Sequence, residues 1–122
     1  MIVDTSVWID LLAPALDDGD LVLVPGLVLT EVLQGLQTEA DAARVEELMT
    51  AFPSPPELEP EDYRRAAALY RACRARGTTP RSTIDCIIAR ICLKHDLPIL
   101  AQDRDYQAIA QVAPLRIVAT AG

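Results

Sequence analysis

Apolar residues along this chain follow two alternating rhythms. Short runs lie at residues 1–3, 21–24, 98–101 and 115–119, the last interrupted by Arg116. They are too short for helices and are bounded by turn residues, so they predict buried strands. Between them, apolar residues recur three and four apart, as an amphipathic helix requires. Val7, Leu11 and Leu12 mark a helix over 6–12, and Leu29, Val32, Leu33 and Leu36 one over 27–37. Ala42, Val45, Leu48 and Met49 form the inward stripe of a helix over 39–51. Ala66, Leu69, Tyr70 and Cys73 do the same over 60–76, where Pro60 suits the first turn and Gly77 the end. Ile84, Ile87, Ile88, Ile91 and Cys92 give a wide apolar face over 82–95. Ile109 and Val112 mark a last helix, stopped by Pro114. Residues 17–20 read as a polar turn, and 57–59 as a short edge strand after a proline-rich loop. Strands alternating with helices predict an α/β fold: a three-layer α/β/α sandwich around a central parallel sheet.

The chain's 122 residues fit one domain, and 51% hydrophobic content fits a packed core without staples. Cys73, Cys86 and Cys92 fall inside apolar helical patterns, and Cys86 and Cys92 are six apart, the wrong spacing for a metal pair. They are expected to be reduced, buried thiols. The early apolar run is interrupted by Asp4, with no basic residue before it, and no run approaches the roughly 20 residues that span a bilayer. A cytoplasmic location is therefore expected, with no membrane partner.

Net charge is -7, which argues against a nucleic-acid partner until its distribution is considered. Arg64, Arg65, Arg71, Arg74, Arg76 and Arg81 cluster in one segment, so an acidic chain still has one basic region. Ion pairing along a solvated helix is the ordinary account of such a run.

Four carboxylates change the picture. Asp4 and Asp103 each follow a short strand, so both project from the carboxyl edge of the sheet, where open α/β folds place their chemistry. Asp85 lies in the first turn of the helix feeding the second of those strands, and Glu31 sits among Leu27, Val28 and Val32. Each has a structural explanation: Asp4 and Asp103 as helix caps, Asp85 in a capping box with Ser82, Glu31 as a helical surface acid. Gathered together they repel, by about 4 kcal/mol for two charges 4 Å apart at an effective dielectric of 20. Protons or a hard cation must then compensate, and an all-oxygen set selects Mg²⁺ or Mn²⁺. The only histidine, His95, falls at a helix end, and no Ser-His or Cys-His pair, phosphate-binding glycine loop or zinc spacing is present. Metal-assisted hydrolysis is the hydrolytic chemistry left.

The segments IVDTSVWIDLL, LTEVLQGL and STIDCIIARICLKHDLPILAQDRDY, in this order and spacing, resemble PIN-domain ribonucleases, and among them the VapC-type toxins of toxin–antitoxin pairs. The resemblance covers nearly the whole chain, and implies a single PIN domain over 1–122 with strand order 3-2-1-4-5. It implies Asp4, Glu31, Asp85 and Asp103 as catalytic and metal-binding acids, with Asp105 as a further metal ligand. Thr5 and Ser6 match residues that orient the first acid or the attacking water. The implied activity is Mg²⁺- or Mn²⁺-dependent cleavage of RNA, often a structured RNA such as tRNA. The implied partners are a VapB-type antitoxin and a second copy of the chain, forming homodimers and toxin–antitoxin hetero-oligomers. Arg81, with Arg74 and Arg76, is the expected RNA-backbone contact. Two rival readings are a non-catalytic protein-interaction module on the same fold and a receiver-like domain, the latter weakened because Arg116, not a lysine, stands at the fifth strand.

Overall fold

The computed structural model describes residues 1–11 and 21–118. Leu12, the expected turn at 17–20 and Ala119 lie outside the described residues. In chain order the elements are β1 (Ile2–Val3), α1 (Thr5–Leu11), α2 (Gly26–Gln34), α3 (Glu39–Thr50), α4 (Pro60–Ala75), α5 (Thr83–Lys94), β2 (Ile99–Leu100), α6 (Arg104–Ala110) and β3 (Ile117–Val118). The sheet runs β1-β2-β3 and every pairing is parallel, with Ile2 opposite Ile99 and Ile99 opposite Ile117. Leu23 adds a parallel bridge to Ile2 on the other side of β1.

Neighbouring residues of a strand point to opposite faces of the sheet. Ile2 and Val3 are both buried, as are Ile99 and Leu100, so both faces are covered. Helices α1, α2 and α3 pack in sequence, α1 on α2 and α2 on α3, while α4, α5 and α6 all pack on one another. This is the expected α/β sandwich.

Two expectations fail. The edge strand at 57–59 does not form, and Val24 N–H donates instead to the Pro53 carbonyl at 2.8 Å. Within 57–59 the Glu59 N–H donates to the Asp62 carboxylate at 2.8 Å, closing the start of α4 rather than a ladder. Thus the order 2-1-4-5 is present among the described residues, and the outermost third strand is not. Leu48 is 57% exposed rather than buried. It lies about 100° round α3 from Met49, outside the stripe made by Ala42, Val45 and Met49.

Helix ends follow local chemistry. Helix α4 stops at Gly77, whose φ of +79° takes the left-handed turn, and Thr78 N–H closes the cap on the Cys73 carbonyl at 3.0 Å. Helix α5 stops the same way with a non-glycine residue: Asp96 at φ 52°, and Leu97 N–H on the Cys92 carbonyl at 2.8 Å. The Arg116 guanidinium bonds both the Asp96 carbonyl and its carboxylate, at 2.7 and 3.1 Å.

Helices α4 and α5 are pinned by Asp62, an acid in the first turn of α4. It is buried, and its carboxylate accepts from Arg90 Nε at 3.0 Å, Lys94 Nζ at 2.7 Å and Glu59 N–H at 2.8 Å. The Lys94 ammonium and the Glu59 N–H, with Arg90, hold this carboxyl far below the usual range against the opposing effect of desolvation. Trp8 is a core residue, edge-on to Phe52 with ring centroids 5.6 Å apart. The three cysteines are free and buried, and burial pushes the Cys86 and Cys92 thiols up to about 12.

Candidate metal centre and active site

Strand β1 ends at Asp4, whose N–H still donates to the Leu100 carbonyl of β2 at 2.9 Å. The chain then turns into α1, and the Asp4 carbonyl accepts from Val7 and Trp8. Backbone ties therefore fix Asp4 at the sheet's carboxyl edge, and its side chain is left for other partners. One carboxylate oxygen accepts from Ser6 Oγ at 2.7 Å, and the other from Tyr106 Oη at 3.0 Å. Tyr106 Oη also lies 3.2 Å from Asp85 Oδ1, so one phenol links the acid of β1 to the acid of α5. The hydroxyl carries one proton. That proton serves one of the two carboxylates at a time, so the phenol is a donor shared between Asp4 and Asp85.

Asp85, Asp103 and Asp105 each bring a carboxylate oxygen into a group whose members all lie within 4.8 Å of one another. Their support is local. Asp103, at the exit of β2, accepts from Asp105 N–H at 2.8 Å and so caps α6. Asp105 accepts from the backbone N–H groups of Arg81 and Ser82 at 2.8 and 3.2 Å, which ties the turn before α5 to the start of α6. The capping box expected for Ser82 and Asp85 is not used: the Ser82 side chain makes no capping bond. Burial, then the charge of Asp4, a hydrogen bond with Asp105 and the charge of Asp103 push the Asp85 carboxyl up to about 7. The Tyr106 hydrogen bond acts in the opposite direction.

The other expected residues take distinct places. Glu31 on α2 accepts from Thr5 Oγ1 at 3.0 Å, so Thr5 orients Glu31 while Ser6 orients Asp4. Asp4 and Glu31 are outside the group of three, with Asp4 joined to it through Tyr106. Arg81 is exposed, its guanidinium 3.9 Å from Asp103 Oδ1. Arg74 and Arg76 are exposed at the end of α4, with Arg74 lying 6.0 Å from the Tyr70 ring centre. The arginine run is partly self-paired, since Arg65 bridges Glu61 at 3.0 Å.

Sequence reasoning missed Tyr106. The available signal was a tyrosine on the same helical face as Ile109, because a buried phenol needs a partner for its hydroxyl. Burial and the two neighbouring anions push its own ionisation far above the usual range, so it acts as a neutral donor.

An open parallel sheet with carboxylates gathered beyond its carboxyl edge defines an α/β protein whose acidic group stands where such folds place their chemistry and could hold a metal ion. The family model of the PIN domain matches residues 1–112, and the chain belongs to that family. It is 35% identical over 86 residues to VapC ribonuclease Mb1587 of Mycobacterium bovis, a match covering 70% of this chain and 64% of the relative. Ribonuclease VapC11 of Mycobacterium tuberculosis matches to the same extent, so the aligned part spans just under two-thirds of the length of these relatives. The fold is shared with a structure of VapBC-1 from nontypeable Haemophilus influenzae, with a TM-score of 0.74, 17% identity, and coverage of 97% of this chain and 96% of that one. It is shared too with VapBC-5 from Mycobacterium tuberculosis, with a TM-score of 0.72, 23% identity and the same coverage.

Proposed function

We propose that this chain is a single-domain toxic endoribonuclease that hydrolyses RNA phosphodiester bonds with Mg²⁺ or Mn²⁺, acting in the cytoplasm on a tRNA or another structured RNA. The observation that carries the reading is the convergence of Asp85, Asp103 and Asp105, with Asp4 attached through Tyr106, at the carboxyl edge of the sheet. The donor set is all oxygen, which fits a hard divalent cation and no soft metal. Naming of relatives as VapC ribonucleases supports the activity. Naming of fold neighbours as VapBC assemblies supports a VapB-type antitoxin as partner, alongside a second copy of the chain.

Asp4, Asp85, Asp103 and Asp105 are assigned as metal ligands, with Glu31 assisting from α2. When bound, the cation supplies Lewis acidity, making water a stronger nucleophile at neutral pH and neutralising charge on the phosphoryl oxygens. The residues of the chain do the rest. Ser6 and Tyr106 hold Asp4 in one orientation, and Thr5 holds Glu31. Asp85, pushed up to about 7, releases its proton when positive charge enters the site. Arg81, exposed beside Asp103, steadies the RNA backbone through a phosphate.

The test is cleavage of a labelled structured RNA by the purified chain with Mg²⁺ or Mn²⁺, with EDTA and with Asp4→Asn. Cleavage that needs the metal and vanishes in Asp4→Asn is expected, and undiminished cleavage by the variant overturns the site assignment. Growth arrest on expression, relieved by a neighbouring antitoxin gene, tests the toxin role.

A further inference from the structure

We propose that the groove between α6 and the turn after α4 is a nucleotide subsite that reads the base beside the scissile phosphate, with Gln107 and Gln111 as the specificity-determining residues. The inference rests on the ribonuclease reading and extends it to substrate choice.

The groove is open to solvent and has a volume of about 550 Å³. One wall is the turn carrying Thr78 and Thr79. That wall is held in place: Thr78 bonds the Cys73 carbonyl through both its N–H at 3.0 Å and its Oγ1 at 3.1 Å. The other wall is α6. Arg104, Gln107, Ala108 and Gln111 lie at i, i+3, i+4 and i+7, so they share one helical face.

Among the described residues, the side chains of Arg104, Gln107 and Gln111 have no hydrogen-bond or ion-pair partner, so their donors and acceptors are open to a ligand. Each amide offers two donors and one acceptor oxygen, the pattern that matches a base edge, adenine above all. The small side chain of Ala108 leaves space between them. Arg104 adds a planar donor fork suited to phosphate.

Position links the groove to the chemistry. Asp105 lines it and is also one of the three acids within 4.8 Å of one another. The groove therefore borders the acidic group at Asp105. The lining favours RNA over a docked peptide. Its only apolar side chain is Ala108, whereas protein hot spots are built on large buried anchors.

The experiment gives the full chain a pool of synthetic RNA carrying a randomised stretch, with Mn²⁺, and sequences the cut ends. The parent should prefer one base next to the cut, and Gln107→Ala/Gln111→Ala should flatten that preference roughly tenfold. Gln107→Glu should move the preference toward cytosine, because a carboxylate accepts from its amino group, a change that a merely structural role does not produce. Both positions are exposed, and unchanged melting temperatures confirm the fold. A parent without base preference, or variants that keep the parent's preference, overturns the inference and leaves the nuclease reading intact. A parent that cuts no RNA with either metal overturns both.

Discussion

Replacing Asp85 with Asn should make the metal-free protein more stable at pH 8 and leave it nearly unchanged at pH 4. Asp85 carries its charge among Asp4, Asp103 and Asp105 in a buried position, and its carboxyl is pushed up to about 7 from an ordinary 3.8. An acid whose folded pKa exceeds its unfolded value binds protons more tightly in the folded state. Its contribution is thus fully favourable below about pH 4 and is lost as pH rises through about 7. A gap of about three units corresponds to at most ~4 kcal/mol, and relaxation of the cluster brings a realistic value nearer ~2 kcal/mol. For a chain of this size ~1 kcal/mol moves the melting temperature by roughly 4 °C, so Asp85→Asn should melt roughly 8–15 °C higher than the parent at pH 8. Asn keeps the shape and can still meet the Tyr106 hydroxyl. The assay is thermal melting in EDTA from pH 4 to 8, read as the difference between variant and parent so that other titrating groups cancel. A difference that stays constant across this window, or a less stable variant at pH 8, would refute the account of a strained acidic cluster.

Adding Mg²⁺ or Mn²⁺ should raise the parent's melting temperature, by the equivalent of ~2.7 kcal/mol at a hundredfold excess over Kd, and Asp103→Asn should blunt the shift; an unmoved parent counts against metal binding. Tyr106→Phe keeps the ring but removes the donor between Asp4 and Asp85. It should lower stability by ~1–2 kcal/mol and move the acid limb of metal-dependent RNA cleavage to higher pH, since the lost hydrogen bond was lowering the Asp85 pKa; an unmoved limb refutes the link. Asp62→Ala should lower the melting temperature while preserving the metal-induced shift, because Asp62 ties α4 to α5 through Arg90 and Lys94 rather than joining the acids. Its depressed pKa makes its stabilising effect present above about pH 4 and lost as pH falls below, so the penalty of the variant should shrink in acid melts.

The fold was legible where one local signal dominated. Apolar periodicity located all six helices of the described residues, with ends shifted by a few residues, and Gly77 marked the end of α4. It failed at residues 57–59, where a short edge strand was expected but the Glu59 N–H donates to the Asp62 carboxylate at the start of α4. It failed again at Leu48, whose hydrophobicity says nothing about which side of a half-exposed helix it takes. The acids at 4, 85, 103 and 105 could be picked out singly because each sits where a strand ends or a helix starts. What could not be read was how they are wired. The Tyr106 bridge joins residues 102 positions apart, and Asp105 reaches back 24 residues to the Arg81 N–H. Both contacts exist only once α6 packs on α5. The local signal at Tyr106, a face shared with Ile109, is weak: Tyr63 likewise stands three residues before the buried Ala66 and is exposed on α4.

That wiring removes the choice between a structural acid and a site acid. Asp103 caps α6 and Asp105 holds the turn before α5, so the structural explanations for acids at helix starts are correct for both. Yet the same two carboxylates stand within 4.8 Å of each other and of Asp85, an arrangement that capping does not require. One acid per helix start would satisfy the exposed N–H groups without mutual repulsion. Here the N–H groups at both helix starts, with the Arg81 guanidinium 3.9 Å from Asp103 Oδ1, partly neutralise the anions and let three carboxylates stay close. Asp85 has no such backbone donor among the described residues, and it is the member whose carboxyl is pushed up to about 7. The proton load of the cluster therefore falls on Asp85. Were a cation to bind there, Asp85 would be the residue to lose its proton, and metal affinity should then fall as pH drops below about 7.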